Sequence, residues 1–515
     1  MIIHIRIENN RCRYWLAHLS AALAKIPGSD VRLDLIEGDA RPSSALDFLL
    51  KAEKLLLRKG RDCGADLCPA SELSLPPASF TTPDVVIDLT NAPPASPLGG
   101  ENPGAPDAIQ ILRPLYNSVA GEEALAGFLI QQQRPCITIA AEGRAEQIAK
   151  GFASLEAVKG IGSAMETIYS RVVMLLTRVL SGIEETYEPM PPVTPAPVSY
   201  PDAISHLARG LCTSALHAIY ERTFYRSHWR IGWRFVDGDG VFHKGDLSGP
   251  RWNVLPHPID HFYADPFVFE SDGKAYLFFE DFDHRLGKGV ISVVPFGEDG
   301  PLESARTVLE EDWHLSYPFV FEHDGDAWMI PESSTNREVV LYRAVDFPYR
   351  WERHTALLSD IEAADATVIH FKDRWWLFTV TRDGLGGYSD TLCLYTAKDL
   401  FGPWSAHAKN PVLIDDKGAR PAGRMVIEDG KLWRPTQNCS GTYGAAVELA
   451  CVTRLDDDAF EQVVHVSLHP GGPDWPGRKF HTLNRVGRLE VIDGSIFRPK
   501  IRFAALLTDR FYRPG

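Results

Sequence analysis

Long apolar runs, an excess of basic charge and metal-type cysteine spacing are all missing from this chain of 515 residues. No stretch approaches the 18 or so consecutive apolar residues that a membrane-spanning helix needs. The opening, MIIHIRIENNRCRYW, has no basic segment leading into an apolar core and a small-residue cleavage site, so a cytoplasmic location is expected. Lysine and arginine total 53 against 68 aspartate and glutamate, for a formal net charge of -15. A nucleic acid or an anionic membrane calls for a basic face, so neither is the expected partner. The cysteines, at 12, 63, 68, 136, 212, 393, 439 and 451, lack metal-ligand spacing and read as free thiols, with no metal site and no cofactor expected.

Internal repetition is present. The segments ADPFVFESDGKAYLFFEDF, SYPFVFEHDGDAWMIPESS, ADATVIHFKDRWWLFTVTR, GRMVIEDGKLWRPTQNC and GRLEVIDGSIFRPKIRF each read as strand, polar turn, strand. Asp272-Gly273, Asp324-Gly325, Asp429-Gly430 and Asp493-Gly494 are dipeptides suited to tight hairpins. Lys372-Asp373-Arg374 takes that place in the third unit without a glycine. Four of the five are followed by a third apolar stretch (GVISVVPF, EVVLYRAV, DTLCLYTA, AAVELACV), and several by a fourth. A four-stranded unit recurring about every 50 to 60 residues is the signature of a β-propeller, here of five blades. The fifth unit offers two strands only. HWRIGWRFV (228–236) and RWNVLPHP (251–258), ahead of the first unit, supply its third and fourth and close the ring.

Residues 1–190 read differently. Apolar runs IIHIRI, VRLDLIEG, DVVIDLT and CITIAAEG alternate with the helical patterns YWLAHLSAALAKI, SALDFLLKAEKLLLRKG, EEALAGFLIQQQ and METIYSRVVMLLTRVL. That alternation predicts an α/β, Rossmann-like domain with a mainly parallel sheet. The turn-rich piece at 91–106 follows the third strand, where doubly wound sheets bind ligands. Gly160 and Gly162 precede a helix but follow no strand and lack a third glycine, which disfavours a dinucleotide site. A proline-rich linker and one helix occupy 191–227, and the propeller 228–515.

In an antiparallel blade, the start of the first strand and the end of the second share a face. That face collects Asp265, Glu280 and Asp281 from blade one, Tyr317 and Glu332 from blade two, and Asp365, Thr379 and Arg382 from blade three. Arg424, Gln437 and Asn438 come from blade four, and Arg488 with His481 from blade five. Carboxylates brought together raise at least one pKa, the arrangement that glycosidic bond cleavage uses. Trp313, Tyr388, Tyr443 and Trp475 lie in loops and are candidates to stack on sugar faces.

A five-bladed propeller opened by ADPFVF resembles glycoside hydrolase family 43 and its relatives, families 32, 62, 68 and 130. Within it, PFVFEHDGDAWMIPES and RPTQNCSGTYGAAVEL are more similar to the propeller domain of plant inositolphosphorylceramide glucosamine transferases. The resemblance implies that Asp265 is base or nucleophile, Glu332 the general acid with Glu280 as the alternative, and Asp365 a tuning carboxylate. Their places on the same face make Asp281, Tyr317, Arg382, Arg424, Gln437 and His481 candidates to bind substrate. The implied function is a glycoside hydrolase acting on a carbohydrate. The alternatives are a glycan-binding module of polysaccharide or glycolipid biosynthesis, or a glycoside phosphorylase with Arg424 and His481 on phosphate. The N-terminal domain resembles the formyltransferase N-terminal domain in strand order and in PDVVIDLTNA. That family's Asn-His-Asp site is not matched, because the only histidines before position 206 are His4 and His18. A structural or partner-docking role for that domain is expected instead.

Overall fold

The computed structural model describes residues 1–37, 44–78, 81–91, 109–382 and 385–514. The turn-rich loop expected over 91–106 falls almost wholly outside them. The chain divides into two compact units, one of Met1–Leu216 with Gly384–Gly386, the other of His217–Asp383 with Gly387–Gly515.

The first unit is built on a mixed sheet in the order Asp30–Ile36, Ile2–Glu8, Val85–Asp88, Gln110–Tyr116, Ile137–Ala141, Gln147–Gly151. The first four strands are parallel. The last two run antiparallel to their neighbours, so the sheet is not mainly parallel as the alternation suggested. For the last pair the reason is connection length: five residues separate Ala141 from Gln147, far fewer than a parallel crossover requires. The helix Ile161–Leu180 starts just after Gly160, and the Glu53 carboxylate accepts the N–H groups of Ile161 and Gly162, both at 2.9 Å. An internal side chain thus fills the place a phosphate would take.

The second unit is the five-bladed propeller. Blade one comprises His261–Ser271, Lys274–Asp283 and Lys288–Gly297 with short outer strands, and blade two Ser316–His323, Asp326–Glu332, Glu338–Asp346 and Arg350–Ser359. Blade three comprises Ala363–Phe371, Arg374–Thr381 and Thr391–Ala397 with short outer strands, and blade four Val426–Glu428, Lys431–Asn438, Ala446–Leu455 and Phe460–Leu468. Blade five joins Leu483–Val486 and Leu489–Ser495 to Trp229–Phe235 and Asn253–Val254. The closing seam is an unbroken antiparallel ladder from Leu489↔Phe235 to Ser495↔Trp229. Inner strands are packed on both faces, which explains their nearly continuous apolar text: Ile231, Val268, Leu277, Val294 and Val491 form one inter-blade core, and Phe267, Phe319, Leu341, Val368 and Leu377 another.

Hairpin chemistry follows the sequence in four blades. Asp272-Gly273, Asp324-Gly325 and Asp429-Gly430 have positive φ at both residues, and so do Lys372 (52°) and Asp373 (61°) without a glycine. The fifth turn is elsewhere. Asp493 and Gly494 lie inside a strand, and the chain reverses between Val486 and Leu489, at Gly487-Arg488. Arg488 accordingly sits at that turn, exposed and paired with Asp237.

Candidate active site

A bulge repeated in three blades builds the site. The first strands lose register between Ala264 and Phe267, Ser316 and Phe319, and Ala364 and Thr367. Within each gap one residue is left-handed: Asp265 at φ 50°, Tyr317 at 43° and Asp365 at 55°. A bulge re-aims a side chain that the pleat would otherwise turn into the blade. Aspartate tolerates this conformation, whereas tyrosine is strained in it. Tyr317 is held by its hydroxyl, which lies 3.0 Å from Thr367 Oγ1 and accepts the Gly423 N–H at 2.9 Å.

Asp265, Glu280, Glu332 and His481 line one pocket of about 420 Å³ with Arg420, His314, Ser316, Trp229, Phe262, Phe282, His284, Tyr443, Arg226 and Ser227. His481 Nδ1 lies 2.5 Å from Asp493 Oδ2 and 3.7 Å from Asp265 Oδ1. Asp265 Oδ1 accepts from Thr482 Oγ1 at 2.9 Å, and Asp265 Oδ2 from the Tyr317 N–H at 3.3 Å. Glu332 accepts from Ser316 and Ser334 and has Arg420 Nη2 at 3.8 Å. His314 Nε2 is 3.5 Å from Glu280. The Trp229 ring stacks on His481 at 3.9 Å, and the Tyr443 ring meets both edge-on.

Burial drives the electrostatics. It raises the Asp265 carboxyl above its ordinary range, with Asp365 and Asp493 adding to the rise and His481 opposing it. Glu280 is raised well above its ordinary value, by burial first and then by Asp265 and Glu332. Burial alone would lower His481, but Asp493 and Asp265 prevail and its pKa is raised. His284 belongs to a neutral chain: its Nε2 is 3.1 Å from His228 Nδ1, and His228 Nε2 is 3.0 Å from His257 Nε2. Burial lowers His284 and His257 to about 4 and holds His228 well below its ordinary value.

Other expected site residues stand elsewhere. Asp365 is buried outside the pocket lining, bonded to Arg420 Nε at 2.6 Å and Gln437 Nε2 at 2.9 Å, so Gln437 supports rather than lines the pocket. Asp281 pairs with His261 at 2.7 Å and Ser292. Arg424 is half-buried, donating to the Val320 carbonyl at 2.5 Å beside the Phe319 ring. Arg382 is half exposed near Glu362, Thr379 holds the Ala364 carbonyl, and Asn438 bonds Glu448. Of the four loop aromatics, Tyr443 alone reaches the pocket; Trp475 is buried, donating to the Asp493 carbonyl.

Sequence reasoning missed Arg420, Asp493, Trp229 and the phenylalanine pair. Asp493 was hidden by its Asp-Gly spelling, and Trp229 comes from the strand that closes the ring. Among the described residues, one set could hold a metal: an atom each from Asp265, His481 and Asp493 lie within 4.8 Å of one another. Asp493 already accepts the backbone N–H groups of His481, Thr482 and Asp265, so the set is satisfied as an ion-pair network.

Residues 256–493 match the family model described as glucosamine inositolphosphorylceramide transferase 1, N-terminal. The propeller is thus similar to the N-terminal part of those proteins. The transferase of that name from Oryza sativa subsp. indica is 35% identical over 248 residues, 45% of this chain and 33% of that protein. Its Arabidopsis thaliana namesake is 32% identical over 229 residues, 43% of this chain and 30% of that protein. The chain therefore spans about a third of the length of these curated relatives. Solved structures similar to it include a family 117 glycoside hydrolase from Zobellia galactanivorans, at 13% identity and TM-score 0.33 over 49% of this chain and 78% of that one. Another is a β-xylosidase, at 14% identity and TM-score 0.33 over 42% and 81%.

Proposed function

We propose that the propeller acts on the glycosidic bond of a glycan bound in the axial pocket, with Glu280 as general acid and Asp265 as base or nucleophile. The observation that carries this is the pairing of Glu280, raised well above the ordinary carboxylate range, with Asp265 set against the His481 imidazole in one pocket. Two carboxyls in unlike environments divide the roles: one keeps its proton to donate to a leaving oxygen, the other is the anion facing the reacting carbon. Glu280 replaces Glu332, which the resemblance favoured as acid, because burial and Asp265 hold the Glu280 proton. Glu332 stands beside the Arg420 cation and is assigned to orienting sugar hydroxyls. Arg420 bridges Asp365 and Glu332, and Tyr443 and Trp229 offer ring surfaces to a sugar.

A second reading is a non-catalytic glycan-recognition module in glycolipid biosynthesis. The relatives' name, glucosamine inositolphosphorylceramide transferase, supports its glycolipid context. A screen of aryl glycosides and nucleotide sugars, with and without phosphate, separates the readings. Turnover by the native protein that falls at least about a hundredfold in Asp265→Asn and Glu280→Gln supports the enzyme. Saturable glycan binding without turnover in all three supports the recognition module, and phosphate-dependent turnover a phosphorylase.

A further inference from the structure

The last helix, Arg502–Phe511, is amphipathic the wrong way round for a helix that packs on a core. Its small side turns inward: Ala505 is fully buried, and Ala504, Thr508 and Tyr512 are partly so. Its large apolar side chains point out. Phe503 is 73% exposed and Phe511 79%, with Leu506 and Leu507 about half exposed and Ile501 just before the helix at 71%. The helix is nonetheless anchored. Arg498 donates to the Ala505 carbonyl at 3.3 Å and bonds Asp509, Arg230 holds the Tyr512 carbonyl, and Arg251 holds the Pro514 carbonyl at 3.0 Å. Polar contacts therefore fix the helix while its apolar face stays uncovered, and contiguous uncovered apolar surface marks an interaction site.

Charge selects the occupant. Lys500, Arg502, Arg510 and Arg513 flank the apolar side chains and are exposed, while the two acids nearby are already paired, Asp509 with Arg498 and Glu221 with His217 and Arg226. The chain as a whole carries -15, so this basic cluster is a local reversal. Acidic charge elsewhere is screened beyond a Debye length of roughly 8 Å at physiological salt, so an approaching surface senses the local sign. The neighbouring helix end extends the patch. Lys500 Nζ donates to the Glu221 carbonyl at 2.6 Å, Phe497 packs edge-on against Tyr220 and Phe224, and Ile219, Arg222 and Arg226 are exposed. Bulky apolar side chains ringed by arginine and lysine on a fixed helix are the pattern of an element lying in a lipid headgroup layer.

We propose that this face docks the propeller onto an anionic lipid surface, with Phe503, Leu506, Leu507 and Phe511 entering the headgroup boundary and Lys500, Arg502, Arg510 and Arg513 meeting lipid phosphates and carboxylates. The patch adjoins the pocket rim: the Tyr225 N–H donates to the Arg498 carbonyl at 2.9 Å, Tyr225 stacks on His284 at 4.0 Å, and His284 and Arg226 line the pocket. Docking would thus bring the pocket mouth near the headgroup layer.

The test is flotation of the full chain with vesicles of phosphatidylcholine alone or mixed with phosphatidylserine, at low and high salt. The expected result is binding to the mixed vesicles that weakens with salt. Phe503→Ser with Leu507→Ser should cut partitioning by roughly tenfold or more. Arg502→Gln and Arg510→Gln should each cut it about fivefold. Both pairs are exposed, and thermal unfolding unchanged from the native protein verifies that the variants are folded. Native protein that floats with neither vesicle overturns the proposal, and so does a serine variant that floats as well as the native chain. Self-association abolished by the serine variant, without flotation, also overturns it and assigns the face to a protein contact. Binding is read without turnover, so its failure and the failure of the glycosidic reading are separate results.

Discussion

Glu280 shows what a buried carboxyl costs. Its pKa is raised in the folded state, so the fold holds its proton more tightly than the unfolded chain does. Between the unfolded and folded values the native state binds more protons, and stability falls as pH rises through that window. Its contribution is fully present below the unfolded pKa and lost above the folded one. Glu280→Gln is therefore expected to stabilise the propeller by about 1 kcal/mol or more at neutral pH, with the gain disappearing in acid; melting curves across pH check it. Under the proposed glycosidic reading, turnover has the matching shape, with the two roles as assigned there. Asp265 must lose its proton, so the acid limb lies above the ordinary carboxylate range, and Glu280 must keep its own, so activity falls again at higher pH. A pH–rate profile of native protein that is flat across this range would remove both assignments. Arg420→Met leaves Asp365 buried without its guanidinium partner and is expected to cost about 3 kcal/mol in urea denaturation.

At the scale of the strand and turn, the hairpin of blade three is the informative element. Lys372 and Asp373 occupy the left-handed region that a glycine would fill without strain. Replacing the pair by Asn-Gly should stabilise the unit by about 0.5–1 kcal/mol, read as a higher urea midpoint at unchanged slope. The same left-handed geometry at Asp265, Tyr317 and Asp365 has the opposite meaning: there the bulge aims side chains at the axis, and relaxing it to glycine would discard the site. Turn and bulge share a backbone conformation but were not equally legible. A tight turn needs a local residue type, whereas a bulge is decided by the partner strand against which the register slips.

For the propeller as a whole, the decisive bond is the ladder between Leu489–Ser495 and Trp229–Phe235. The family match begins at residue 256, beyond the strands that complete blade five. A fragment beginning there lacks Trp229, Ile231 and Trp233 and leaves the edge of Leu489–Ser495 unpaired. It should elute as aggregate and melt without cooperativity, whereas a fragment beginning at 217 should be monodisperse; size exclusion with circular dichroism distinguishes them.

Strand spacing, Asp-Gly turns and apolar cores are local properties, so the amino-acid order by itself determined five blades and the completion of blade five from the segment near residue 230. It also placed Asp265, Glu280 and Glu332 at one end of the blades, because the start of a blade's first strand and the end of its second share that end, whereas the bulge that aims Asp265 was not legible. What remained for the tertiary structure was which charged groups meet. Asp493 looked like a turn residue until blade five closed through Gly487-Arg488, and Arg382 and Arg488 looked axial until their ion pairs drew them to exposed positions. Arg420 comes from a loop ahead of blade four, with no periodicity to announce it, and reaches Asp365 of blade three. Contacts of this kind join residues tens to hundreds of positions apart. Closure of the ring selects them, because a buried charge is tolerated only where the finished fold supplies its partner.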